Sequence, residues 1–154
     1  MKIKLLYLLM LSILLIIIGG CEETSSVNYY TSVEEALNVN LSNMSAKEAF
    51  RTDWEDNRIF IVFHRENAMG VGSVVKSEKG YQWIEQFPFF IAEYAIGHLV
   101  ENEDIVVIAG MTGDKDVKQV NIKGHYQEVI VDVYDGYYLA VDFPEKEVIS
   151  IEPI

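Results

Sequence analysis

One cysteine, three histidines, one serine in a glycine-rich stretch and a few acidic turns are the residues of this 154-residue chain that invite a chemical reading. Cys21 stands alone, so the chain can form no internal disulfide and no thiolate cage for zinc or iron–sulfur. His64, His98 and His125 lack the paired spacing of a helical zinc site and read as strand-end or surface imidazoles. Ser73 lies in Gly70-Val71-Gly72-Ser73-Val74-Val75, which starts like a dinucleotide fingerprint. The third glycine is missing and a strand pattern follows, where the pyrophosphate would need a helix N-terminus. The nucleophile-elbow spacing is missing too. Asp114-Lys115-Asp116 starts like a calcium loop, but Lys118, Gln119 and His125 occupy its fifth, sixth and twelfth positions. It reads as a polar turn.

The remaining carboxylates depend on a hairpin. Val129, Val131 and Val133 alternate with polar residues, and so do Tyr137, Leu139, Val141 and Phe143. A two-residue Asp135-Gly136 turn would pair Val131 with Ala140 and mix the faces. A three-residue loop, Tyr134-Asp135-Gly136, pairs Val133 with Tyr137 and Val129 with Val141, leaving one apolar face, and is the expected register. It sets Glu128 opposite Asp142, with Asp132 farther along the same strand. Like charges directly opposite are destabilising, so either a cation offsets them or water does. Solvation is the expected outcome. The sequence nominates no catalytic set, no metal ligand and no cofactor.

The cysteine has its own context. Met1-Lys2-Ile3-Lys4 is basic, and Leu5 to Ile18 is apolar but for Ser12. Gly19-Gly20-Cys21 then leads into a polar stretch. A basic start, a short apolar centre and small residues at the end describe a secretory signal peptide over residues 1–20. Ile18-Gly19-Gly20-Cys21 resembles the lipobox of bacterial lipoproteins. That resemblance implies that the Cys21 sulfur receives a diacylglycerol, that the leader is cut before it, and that acyl chains of the palmitate type hold the protein to the extracytoplasmic face of the cell membrane. Two chains satisfy the requirement for stable anchoring.

Residues 21–32, the lipidated cysteine and EETSSVNYYTS after it, read as a flexible tether, and residues 33–154 as one domain. Ser32-Val33-Glu34-Glu35 and Ser45-Ala46-Lys47-Glu48 each fit a helix-opening capping box. The first predicts a short helix to about Val39, burying Val33, Ala36 and Leu37. Beyond residue 50 the periods are those of strands. Ile59–Phe63 and Ile105–Ala109 are apolar on both faces and predict buried strands. Gly70 and Gly72 predict a bulge or a close backbone approach. Tyr81, Trp83 and Phe87 are expected on one face. Val117–Ile122 alternates, and Val148–Ile151 predicts an edge strand after Pro144. Residues 89–100 read as helix or strand, with the alternation of Phe90, Ala92, Tyr94 and Ile96 favouring strand.

Turn signals every 8–15 residues therefore predict a mainly β protein. The expectation is an antiparallel sheet of about seven or eight strands, meander- or sandwich-like, with one or two short N-terminal helices. The stretch from about Ile59 to Phe143 also resembles small cell-envelope proteins of Gram-positive bacteria, a likeness that carries no functional residue across.

The chain holds 12 basic and 24 acidic residues. Without Lys2 and Lys4 the balance is 10 against 24, net −14. Such a domain has no electrostatic means of holding nucleic acid. The 17 aromatic residues from Cys21 onward are expected mainly in the core, with some exposed tyrosines suited to a peptide or glycan. The expected function is a membrane-anchored binding or interaction module, contacting the membrane through its lipid and an envelope protein, peptide or wall component through its domain. The alternative is a small envelope hydrolase with dispersed residues.

Overall fold

The structure is a computed structural model that describes residues 27–55, 57–92, 94–99, 102–144 and 147–154. The leader and Cys21 lie outside them. The protein is mainly β and antiparallel, as expected, with more strands than the turn signals count. In chain order the elements are β1 (Tyr29–Tyr30), α1 (Val33–Asn43), β2 (Lys47–Trp54), β3 (Arg58–Arg65), β4 (Ala68–Ser77) and β5 (Gly80–Phe90). Next come β6 (Tyr94–Leu99), β7 (Asn102–Met111), β8 (Gln119–Lys123), β9 (Glu128–Tyr134), β10 (Tyr137–Val141) and β11 (Ser150–Pro153). They build a five-stranded sheet, β1-β5-β4-β3-β2, and a six-stranded sheet, β11-β8-β9-β10-β7-β6. No helix among the described residues is long and apolar enough to cross a membrane.

Ser32 caps α1, its hydroxyl accepting the Glu35 N–H at 3.1 Å. Glu35 reaches back one residue farther than a standard box, accepting the Thr31 N–H at 2.7 Å and its hydroxyl at 2.6 Å. The helix passes the expected end at Val39 because Leu41 joins Ala36 and Leu37 on its buried side. These side chains pack on Ile61, Phe63 and Val74 of the first sheet. Each buried leucine contributes about 1.5–3 kcal/mol.

The second capping box opens no helix. Ser45 is left-handed, φ 53°, while the Ser45 N–H donates to the Ser42 carbonyl and the Ala46 N–H to that of Leu41. This bond pair is the Schellman signature of a helix end, so Ser45 closes α1 and β2 follows at once. The last part of the stretch read as a tether, residues 21–32, joins the fold. Tyr29 and Tyr30 pair with Gln82 and Tyr81 of β5, and the Tyr30 hydroxyl accepts from Asn40 at 3.0 Å.

In the first sheet β3 is buried on both faces: Ile61 and Phe63 meet the helix, Phe60 and Val62 the second sheet. The glycines of β4 act as the spacing predicts. A Cβ on Gly72 would collide with the Trp83 indole, and one on Gly70 would lie 2.5 Å from the Phe63 ring. The register against β5 shifts between Met69 and Val71 and again between Val71 and Gly72. These bulges overturn the expected common face of Tyr81, Trp83 and Phe87. Tyr81 and Trp83 pack under the helix, whereas Phe87 is carried to the core between the sheets. Pro88, which has no N–H to donate, sits in the bulged stretch. Of residues 89–100, Phe89 and Phe90 end β5 and Tyr94–Leu99 form β6, with a bend at Ala92 between them.

The sheets meet through Phe60, Val62, Met69 and Val71 on one side and Val107, Ala109 and Leu139 on the other. The second sheet then folds over its own far face. Val106 and Ile108 of β7 and Tyr138 and Ala140 of β10 share a core with Val120 and Ile122 of β8 and Val133 of β9. Strand β10 is thus buried on both sides. That burial overturns the expected hairpin register. Tyr137 pairs with Tyr134 and Tyr138 with Val133, across a two-residue Asp135-Gly136 turn. Both turn residues have positive φ, 50° and 86°, the type I′ geometry that Asp-Gly favours. The longer loop would give β10 one apolar face, whereas the strand has two, Leu139 toward one core and Tyr138 and Ala140 toward the other. After two pairs the strands part, β9 pairing with β8 and β10 with β7.

Candidate functional site

The Asp135-Gly136 turn is the hub around which the polar and aromatic groups collect. Phe50 pairs in register with Val62, so Phe50, Val62 and His64 project from one face of the first sheet toward the second. There His64 stacks on Tyr137, centroids 5.4 Å apart at 26°, and Phe50 packs on Tyr134 at 4.9 Å and 38°. Tyr134 and Tyr137 are themselves cross-strand partners. The result is a two-by-two array of rings clamping the sheets beside the turn. Asp135 holds the Lys115 ammonium at 2.9 Å. That hydrogen bond is the main reason its carboxyl lies below the usual carboxylate range, with the charge of the same ammonium the next.

On the other side of the turn, the folded-over sheet leaves its mouth open. A cleft of about 260 Å³ is lined by Met111, Thr112, Asp114, Val117, Val120, Tyr138, Ile151 and Pro153. Its floor is the second core: Val120 and Tyr138 are 2% and 1% exposed. Its rim is the Thr112–Lys118 loop, tied down at both ends. The Thr112 N–H donates to the Gly136 carbonyl at 2.9 Å, and the Val133 N–H donates to the Lys118 carbonyl at 2.8 Å. Within the loop the Thr112 hydroxyl donates to the Asp114 carbonyl at 2.6 Å, and Asp114 Oδ1 accepts the Asp116 N–H at 2.9 Å. The expected polar turn is present, and it forms one wall of a concave apolar space. Such a space, with a few polar groups at its edge, is the usual form of a small-ligand site.

Among the described residues, the side chains singled out from sequence gather at no common site. Ser73 is fully buried between the sheets, its hydroxyl accepting from the Gln86 amide at 3.1 Å. His125 Nε2 lies 3.2 Å from Glu147, away from His64. His98 lies in β6, opposite Val106 of β7. The expected acidic face is dissolved by the observed register. Glu128 accepts from the Asn121 amide and Asp132 from the Gln119 amide, each at 3.0 Å across β8 and β9. Asp142 lies beyond the end of β10 and opposes neither. Directly across from Glu128, where a like charge was expected, stands Lys123, and Gln119 stands across from Asp132. Among the described residues no three His, Cys, Asp or Glu side chains gather as a metal site.

A second hollow of about 400 Å³ near the β2–β3 turn is bordered by Asp53, Glu55, Arg58 and Lys76, whose opposite charges offset one another. The cleft and the aromatic clamp were not legible as sites in the sequence. Their residues come from segments far apart in the chain, and only the turn-rich run from Gly110 to Asp114 hinted at the rim. In comparison with known proteins, the chain matches no family model, no curated protein and no solved structure.

Proposed function

We propose that this chain is a lipoprotein, anchored through Cys21 to the extracytoplasmic face of the cell membrane, whose domain is a small binding module that takes its ligand in the Met111–Tyr138–Ile151 cleft. The anchor rests on the complete leader ending at Ile18-Gly19-Gly20-Cys21. The binding role rests on one observation, a concave apolar space at the open end of a well-packed core. Its partner would be a peptide, protein or wall component of the envelope. The hydrolase alternative draws no support from Ser73, whose burial keeps it from meeting a substrate.

Metabolic labelling with a radioactive fatty acid tests the anchor. Cys21→Ala should lose the label and accumulate precursor or release soluble protein. A variant processed and retained like the parent would refute the anchor. The cleft is tested by the methyl resonances of Met111 and Ile151 in the full-length lipoprotein in nanodiscs. A fractionated envelope extract should shift them, and indifference to every fraction would remove the binding role.

A further inference from the structure

The ligand class follows from what lines the cleft. Met111, Val117, Val120, Ile151 and Pro153 give apolar walls, and Asp114 is the one ionisable carboxylate or ammonium on the lining. Its Oδ1 is committed to the Asp116 N–H. The adjacent cation turns away: Lys115 is held by Asp135 at 2.9 Å, and that hydrogen bond raises its pKa. The nearby Lys118 ammonium points to the Lys115 carbonyl at 3.4 Å. Among the described residues no cation pairs with Asp114, so an apolar space carries a single negative charge at its rim. The wider chain adds to it, with 24 acidic against 12 basic residues.

An anionic ligand would meet repulsion there, and a neutral one would gain a hydrogen bond at most, without the attraction of opposite charges. We infer that the cleft takes a small apolar amine: a short hydrocarbon body seated among Val120, Tyr138 and Ile151, with an ammonium reaching the Asp114 carboxylate. This rests on the cleft being the binding site, as proposed above, and names the chemistry it selects. At about 260 Å³ the space holds one short chain or one side chain, below the range of drug-sized sites.

Three probes share one hydrocarbon body and differ only in their head: hexylammonium, hexanol and hexanoate. They are titrated into the full-length lipoprotein in nanodiscs of zwitterionic lipid while the Met111 and Ile151 methyl resonances are followed. Hexylammonium should bind most tightly, by about tenfold over hexanoate, the ratio that attraction and repulsion at an exposed carboxylate supply together. Asp114→Asn keeps the turn-forming side chain and should bring the three probes within about twofold of each other. Val117→Phe fills the cleft and should abolish the shifts for all three. Hexanoate equal to or tighter than hexylammonium, or a preference that survives Asp114→Asn, would overturn the amine assignment and leave the cleft standing. Methyls that respond to none of the probes would overturn the assignment and the cleft together.

Discussion

The imidazole of His64 lies flat against the phenol of Tyr137, centroids 5.4 Å apart at 26°, and so joins β3 of one sheet to β10 of the other. The pair sits at the margin of the inter-sheet core, where Phe50 and Tyr134 repeat the contact. Both clamps end at strands flanking the Asp135-Gly136 turn, and the Gly136 carbonyl also anchors the cleft rim through Thr112. Packing between the sheets thereby fixes a turn, and the turn fixes the wall of the cleft.

His64→Ala should therefore destabilise the fold by about 1 kcal/mol, the worth of an aromatic pair beyond its buried area. His64→Phe should restore most of that loss. A double-mutant cycle with Tyr137→Leu, read by urea unfolding, should give a coupling of about 0.5–1.5 kcal/mol. Strictly additive losses would mean that the rings touch without interacting.

Gly72 offers a sharper test of packing. Its missing Cβ is the space that the Trp83 indole fills, under the helix and beside Phe63. Gly72→Ala should cost about 1–3 kcal/mol by overpacking, seen as a lower urea midpoint at unchanged slope. Trp83→Phe, which shortens the ring, should cost less in the Gly72→Ala background than alone. A neutral Gly72→Ala would show that the indole moves aside freely.

Those two sites also mark how far the sequence could be read. Gly70 and Gly72 announced a close approach because a glycine inside a strand pattern has few other uses. Ser32 announced the start of α1 because a cap is local chemistry. Apolar runs such as Ile59–Phe63 announced buried strands through their period. What stayed hidden was whatever depended on a distant partner. Ser45 has the residues of a helix start, but the Leu41 and Ser42 carbonyls recruit the following N–H groups to end one. Phe87 shares the parity of Trp83 until a bulge intervenes. The β9–β10 register turned on which strands would cover β10, and nothing near residue 135 records that β3 and β8 do so from opposite sides. The cleft shares this dependence, since Met111, Val120, Tyr138 and Ile151 meet only when the second sheet folds over.

The Asp135–Lys115 pair makes the turn sensitive to acid. Asp135 has its carboxyl pKa lowered, first by the hydrogen bond from Lys115 and next by that ammonium's charge. A carboxyl whose pKa is lowered by folding contributes stability above its unfolded value. It loses that stability as pH falls through the lower, folded value. The Lys115 side of the pair is raised, so its share is present at neutral pH and is lost only in strong base. Both groups are open to solvent, so the effect is small and salt should shrink it further. Asp135→Asn is the informative variant, because Asn-Gly suits a type I′ turn as well as Asp-Gly does. At neutral pH and low salt it should melt slightly below the parent. Between pH 5 and pH 2 the two melting temperatures should converge, because protonation does to the parent what the substitution does permanently. Lys115→Met should abolish the difference at neutral pH. A gap between parent and Asp135→Asn that stays constant down to acid pH would mean that the carboxylate acts through the turn's shape and not through its charge.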